Sequence, residues 1–64
     1  MSDQFDIYQA AKILIDQHGA GADAVALKRG EQLFDEGELE GAAIWRQIAN
    51  AIEELQRGRR GDDR

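Results

Sequence analysis

Apolar residues recur at helical spacing along most of the chain. In the first segment they follow the i, i+3, i+4, i+7 and i+8 positions that share one face of an α-helix, namely Ile7, Ala10, Ala11, Leu14 and Ile15. No stretch alternates apolar and polar residues as a strand does, and the chain has neither proline nor threonine. We therefore predict an all-α fold whose first helix spans residues 3–18.

Glycines divide the pattern into segments. Gly19 follows His18 and Gly37 follows Glu36, positions where a helix commonly ends in a left-handed residue. The second helix is predicted over residues 22–36. Gly30 lies in its middle, at a cost of about 1 kcal/mol relative to alanine, so we predict that a neighbouring helix crosses closely there.

The third segment has the longest periodic stripe and is predicted to form a helix over residues 39–57. The stripe comprises Leu39, Ala42, Ala43, Trp45, Ile48, Ala49, Ile52 and Leu55. We predict a small three-helix unit in which helices 2 and 3 form a hairpin and helix 1 packs across it. Residues 1–56 are assigned to one domain, and residues 57–64, rich in arginine, glycine and aspartate, to a disordered tail.

The predicted core is thin, because ten of the 27 hydrophobic residues are alanine. Its larger members are predicted to be Phe5, Ile7, Leu14, Ile15, Leu33, Phe34, Ile44, Trp45, Ile48, Ile52 and Leu55. A 7.1 kDa chain removes only about 60% of its unfolded surface from water, and without cysteine it can form no disulfide. We therefore predict a homodimer, or docking on a protein partner, through helix 3. The interface candidates are Ile44, Trp45, Ile48, Ile52 and Leu55.

Two spaced motifs carry a resemblance to a known group of proteins. The first, A-x-x-L-I-x-x-H-G, is formed by Ala11, Leu14, Ile15, His18 and Gly19. The second, L-x-x-x-G-[DE]-x-x-G-A-x-x-W-x-x-I-x-x-A-I-x-x-L, is formed by Leu33, Gly37, Glu38, Gly41, Ala42, Trp45, Ile48, Ala51, Ile52 and Leu55. Together they resemble a family of short uncharacterised bacterial all-helical proteins, a domain of unknown function. The resemblance implies a native small helical protein and no particular activity.

Candidate chemistry is sparse. His18 is the only histidine; it can be read as a general base or metal ligand, or as a cation at a helix C-terminus, which the helix dipole favours. With no cysteine and no second histidine, a transition-metal site cannot be completed. Ser2 and Tyr8 are the only hydroxyl side chains, so no nucleophile–base–orienter triad can be assembled. We therefore expect no enzyme, with no catalytic residue, cofactor-binding residue or metal site.

Two further features each have two readings. Asp35, Glu36, Glu38 and Glu40 lack the spacing of a calcium loop, which leaves a solvated turn or weak divalent-cation binding. Trp45 can be the centre of the core or an anchor of an interface, since tryptophan dominates binding hot spots.

The net charge of −5 divides into −7 for residues 1–56 and +2 for residues 57–64. An acidic body argues against nucleic acid as a partner. It favours, as the alternative function, an acidic regulator or inhibitor of a basic protein, including a nucleic-acid-binding one. No apolar run approaches the roughly 20 residues of a membrane span, and the N-terminus lacks a basic and an apolar signal region. We therefore expect no membrane partner and a cytoplasmic location.

Overall fold

Helices form almost the entire chain. The structure is a computed structural model that describes residues 3–62, with side chains from residue 7 to residue 57. Its elements are α1 (Asp3–His18), a 3-10 turn (Gly19–Gly21), α2 (Ala22–Asp35) and α3 (Leu39–Asp62). Within that range only residues 36–38 are not helical. The predicted all-α class is confirmed.

The first two helices are joined without any non-helical residue. Gly19 has a φ of +61°, and the Ala22 N–H bonds to the Gly19 carbonyl, so the connection winds into a single 3-10 turn. α1 and α2 therefore form one long bent helical segment, and α3 is the other. The expected unit of three separate helices is realised only in part, because a three-residue connection is short enough to continue the helical path.

A tight hairpin joins α2 to α3 at Gly37. Its φ of +84° lies in the left-handed region, as the sequence predicted for both Gly19 and Gly37. The Glu38 N–H donates to the Leu33 carbonyl at 2.8 Å and the Gly37 N–H donates to the Phe34 carbonyl at 3.0 Å. This pair of bonds is the Schellman arrangement, which satisfies the last carbonyls of α2 and reverses the chain.

Small residues allow α2 and α3 to pack closely. A Cβ placed on Gly30 would lie 3.4 Å from the Trp45 Cβ and 3.6 Å from the Ala42 carbonyl oxygen. On the facing helix, a Cβ on Gly41 would lie 3.2 Å from the Leu33 Cδ1. The predicted close crossing at Gly30 is therefore confirmed.

The buried core consists mainly of alanine. Among the side chains of residues 7–57, the buried hydrophobic residues are two large ones, Ile48 and Ile52, and six alanines, Ala11, Ala22, Ala26, Ala42, Ala49 and Ala51. Ile7, Leu14, Ile15, Trp45 and Leu55 are half-buried against this cluster, and Leu33 is half-buried as well. The side chain of Phe5 lies outside the described residues.

Two predicted core residues are exposed. Phe34 is 63% exposed and Ile44 is 48% exposed, so their assignment to the core was wrong. Each is next in sequence to a residue that takes the inward position, Leu33 and Trp45 respectively. Consecutive helix residues point about 100° apart, and at an interface this narrow only one of each pair can face the neighbouring helix.

The last helix is longer than predicted. α3 continues to Asp62, whereas the sequence placed its end at Arg57 and expected disorder over residues 57–64. Arginine is a good helix former and is favoured at a helix C-terminus, which supports a helical backbone over residues 57–62. Residues 63 and 64 lie outside the described range.

Candidate functional site: a cationic groove and an acidic hairpin tip

An open groove of about 390 Å³ lies where the end of α1, the middle of α2 and the start of α3 meet. Its lining residues are Leu14, His18, Val25, Lys28, Arg29, Gln32 and Trp45. We call this set the groove. It places the only histidine and the only tryptophan of the chain in one concave surface.

Helical register explains how these residues come together. Leu14 and His18 are four residues apart on α1, and Val25, Arg29 and Gln32 are spaced i, i+4 and i+7 on α2, so each set shares a helix face. The third helix contributes Trp45, whose Cβ lies beside Gly30 at the crossing of α2 and α3.

The groove has an apolar floor and a polar rim. Leu14, Val25 and Trp45 are half-buried, whereas His18, Lys28, Arg29 and Gln32 are exposed. The Arg29 guanidinium carbon lies 5.8 Å from the centroid of the Trp45 ring, within the range of a cation–π interaction. Such a surface can receive an apolar group and an anion side by side.

The groove is basic within an acidic protein. Between residues 7 and 57 the one ion pair is the exposed Arg57–Glu53 pair, at 3.9 Å. Lys28 and Arg29 therefore have no carboxylate partner in that part of the chain. Their charges remain available to an anionic group brought from outside.

The opposite charge is concentrated at the end of the hairpin. We call residues 34–40 the hairpin tip. Its four carboxylate residues, Asp35, Glu36, Glu38 and Glu40, are all exposed, and so are its two large apolar residues, Phe34 at 63% and Leu39 at 61%. Among the side chains that the structure describes, no three histidine, aspartate or glutamate groups converge as a metal site would require.

Two hydrogen bonds fasten α1 and the bend to α3. The Tyr8 hydroxyl donates to the Glu54 Oε1 at 2.9 Å, and the Gln56 Nε2 donates to the Gly19 carbonyl at 2.9 Å. The hydrogen bond to the Glu54 carboxylate, together with its negative charge, raises the pKa of Tyr8. The second of these bonds lies next to His18, one of the residues that line the groove.

The predicted interface residues of helix 3 do not share one free surface. Ile52 and Ile48 are 0% and 5% exposed, so they belong to the core of the single chain. Trp45 and Leu55 are half-buried, and Ile44 alone is largely exposed. Trp45 packs against the core and also lines the groove, and its role as an interface anchor stays a prediction.

The remaining candidates fall in different places. His18 is exposed in the last turn of α1, the position at which the dipole favours a cation, and it also lines the groove. Sequence reasoning missed Lys28 and Arg29 as site residues. For Arg29 the available signal was its i, i+4, i+7 spacing with Val25 and Gln32 beside the alanine face of α2. That spacing does not reveal which neighbouring helix completes the groove.

Comparisons with protein families, with curated proteins and with solved structures found no match. The resemblance to short bacterial helical proteins therefore stays a prediction. Over residues 3–62, no helix combines the length and the apolar character that crossing a membrane requires. The cytoplasmic location also stays a prediction.

Proposed function

We propose that the chain is a three-helix, non-catalytic protein-interaction module that associates with itself. The observation that carries this proposal is the contrast between a core built mainly of alanine and a set of large apolar side chains left between 44% and 63% exposed. That set comprises Tyr8, Ile13, Leu27, Phe34, Leu39 and Ile44.

Energetics support association. Fully burying a large apolar side chain contributes about 1.5–3 kcal/mol, whereas an alanine core gains little from each residue. A second copy that covers several of the exposed side chains would add stabilisation that the single chain lacks.

The contact surface we favour differs from the helix-3 stripe. That stripe faces the core through Ile48 and Ile52. The exposed residues Phe34, Leu39 and Ile44 instead lie at or near the hairpin end of the molecule. We therefore place self-association at this end, with Ile44 as the member of the predicted interface set that is most exposed.

Sedimentation velocity over a range of protein concentrations tests the proposal. We expect the wild-type chain to form a dimer and its Tm to rise with concentration, as linkage requires. The double variant F34S/L39S should shift the chain toward monomer. The variant I13S is the matched control, because Ile13 is similarly exposed but lies on α1, and it should associate as the wild type does. A wild-type chain that remains monomeric with a constant Tm would refute self-association.

A second candidate function is an acidic regulator that captures a basic protein. The four exposed carboxylate residues of the hairpin tip favour it. Pull-down of basic proteins at low and high salt tests it, because electrostatic capture weakens steeply as salt screens exposed charges. Capture that is equally strong at high salt would contradict this alternative.

A further inference from the structure

We infer that the groove receives the hairpin tip of a second copy of this chain, so that self-association is a reciprocal insertion of an acidic tip into a cationic groove. This inference rests on the proposed self-association and names the two surfaces that meet. Both surfaces are exposed and oppositely charged features of one molecule.

Charge complementarity identifies the occupant. Lys28 and Arg29 at the groove have no carboxylate partner within residues 7–57, and the chain carries a net charge of −5. A basic groove in an acidic protein selects an anionic ligand. The hairpin tip is such a ligand, with Asp35 and Glu36 at the end of α2 and Glu38 and Glu40 beyond the turn.

The apolar parts also match. The groove presents the half-buried side chains of Leu14, Val25 and Trp45, and the tip presents Phe34 and Leu39 as its exposed apolar groups. An aromatic or leucine side chain placed beside the indole would be removed from water while the tip carboxylates meet the cationic rim. Central apolar anchors surrounded by complementary charge are typical of specific interfaces.

The spacing permits both contacts in one dimer. Arg29 and Asp35 are six residues apart on α2, which corresponds to about 9 Å along the helix axis. Two hairpins related by a twofold axis between these positions can each place a tip in the partner's groove. Such an arrangement is closed, so it predicts a dimer and no larger species.

Charge reversal provides the test. In K28E/R29E the groove becomes acidic and should repel the tip, so the dissociation constant of the dimer should rise at least about tenfold. The matched control K12E/R46E makes the same change in net charge, from −5 to −9, at two residues outside the groove. We expect the control to weaken association far less.

The carboxylate pair at the end of α2 is reversed in D35K/E36K, which takes the charge of the tip from −4 to 0; this pair is chosen because cations are favoured at the C-terminal end of a helix. This variant should also lose self-association. The quadruple variant K28E/R29E/D35K/E36K again has the wild-type net charge and should regain the dimer. An equimolar mixture of the two double variants should form a heterodimer. Circular dichroism checks that every variant is folded.

Trp45 supplies an independent measurement, because it is the only tryptophan and it lines the groove. Its emission should shift with dilution of the wild type and not with dilution of K28E/R29E. Three outcomes would overturn the inference: equal effects of K28E/R29E and its control, a folded quadruple variant that stays monomeric, or species larger than a dimer. If K28E/R29E and its control have equal effects but F34S/L39S still weakens association, the chain self-associates and only the groove is excluded as the contact surface. A monomeric wild type would refute both self-association and the role of the groove.

Discussion

Within the part of the chain that the structure describes, positive backbone φ angles occur at two glycines, and each marks a change in chain direction. Gly19 bends α1 into α2, and Gly37 reverses the chain between α2 and α3. At both positions an added Cβ would find open space, so the requirement for glycine is conformational and does not come from packing. A side chain there would be strained by the left-handed backbone itself.

The substitution G37A should therefore lower the free energy of unfolding by about 1–2 kcal/mol, the usual cost of a left-handed non-glycine residue. G21A is the matched control, since Gly21 also has open space around it but a φ of −90°. It should be neutral or slightly stabilising. Urea denaturation followed by circular dichroism measures both, and equal midpoints for the two variants would contradict this account.

The Tyr8–Glu54 hydrogen bond should stabilise the fold at neutral pH and lose this effect at alkaline pH. The pKa of Tyr8 is raised in the folded chain. The contribution of Tyr8 to the free energy of unfolding is therefore fully present below the pKa of the unfolded chain, about 10, and is lost as pH rises through the pKa of the folded chain. Y8F lacks this group. The difference in urea midpoint between wild type and Y8F should be constant from pH 7 to 9 and shrink above that; a difference that grows would exclude the assignment.

At the scale of elements, the crossing of α2 and α3 organises the fold. Gly30 brings the two helices together, and Trp45 uses the space beside it. The same crossing sets one wall of the groove. Gly30 therefore affects both the packing of the hairpin and the geometry of the groove.

G30A should be neutral or stabilise the chain by up to about 1 kcal/mol through helix propensity, because its Cβ would make an ordinary contact 3.4 Å from the Trp45 Cβ. G30I should instead destabilise it by about 1–3 kcal/mol, the usual cost of overpacking. Urea unfolding at one protein concentration, followed by circular dichroism and Trp45 emission, compares them. Equal stability of the two variants would show that the crossing is looser than described.

At the scale of the whole molecule, stability depends on few large side chains. Among the described side chains Ile52 is the largest fully buried one, and a chain of this length has a total stability of only about 3–10 kcal/mol. I52A should cost about 2–5 kcal/mol, a large fraction of that total. The matched variant I13A, at a residue 54% exposed, should change stability by less than about 0.5 kcal/mol.

Thermal melts at a fixed protein concentration measure both isoleucine variants, because dimer formation would otherwise shift Tm by mass action. A small effect of I52A at micromolar concentration, together with a large effect of I13A, would place the main stabilising surface outside the described core.

Several features were predictable from residues alone because their causes are local. Helical periodicity located the helices, and His18-Gly19 and Glu36-Gly37 marked helix ends, since backbone freedom belongs to the glycine itself. Gly30 also indicated a close crossing, because a mid-helix glycine is costly and allows the backbone of a neighbouring helix to come near. The continuous path through Gly19–Gly21 was missed, as a three-residue connection can end a helix or wind onward.

The sequence by itself determined that this chain is helical, acidic and reversed at Gly37, because periodicity, charge and glycine conformation are properties of short segments. Only the tertiary structure decided that Phe34 and Ile44 face outward while Leu33 and Trp45 take the inner positions. It also assembled Lys28, Arg29, His18 and Trp45 from three helices into one groove. Which residues face inward depends on the rotation of each helix about its own axis. An apolar stripe wider than the helix interface does not determine that rotation.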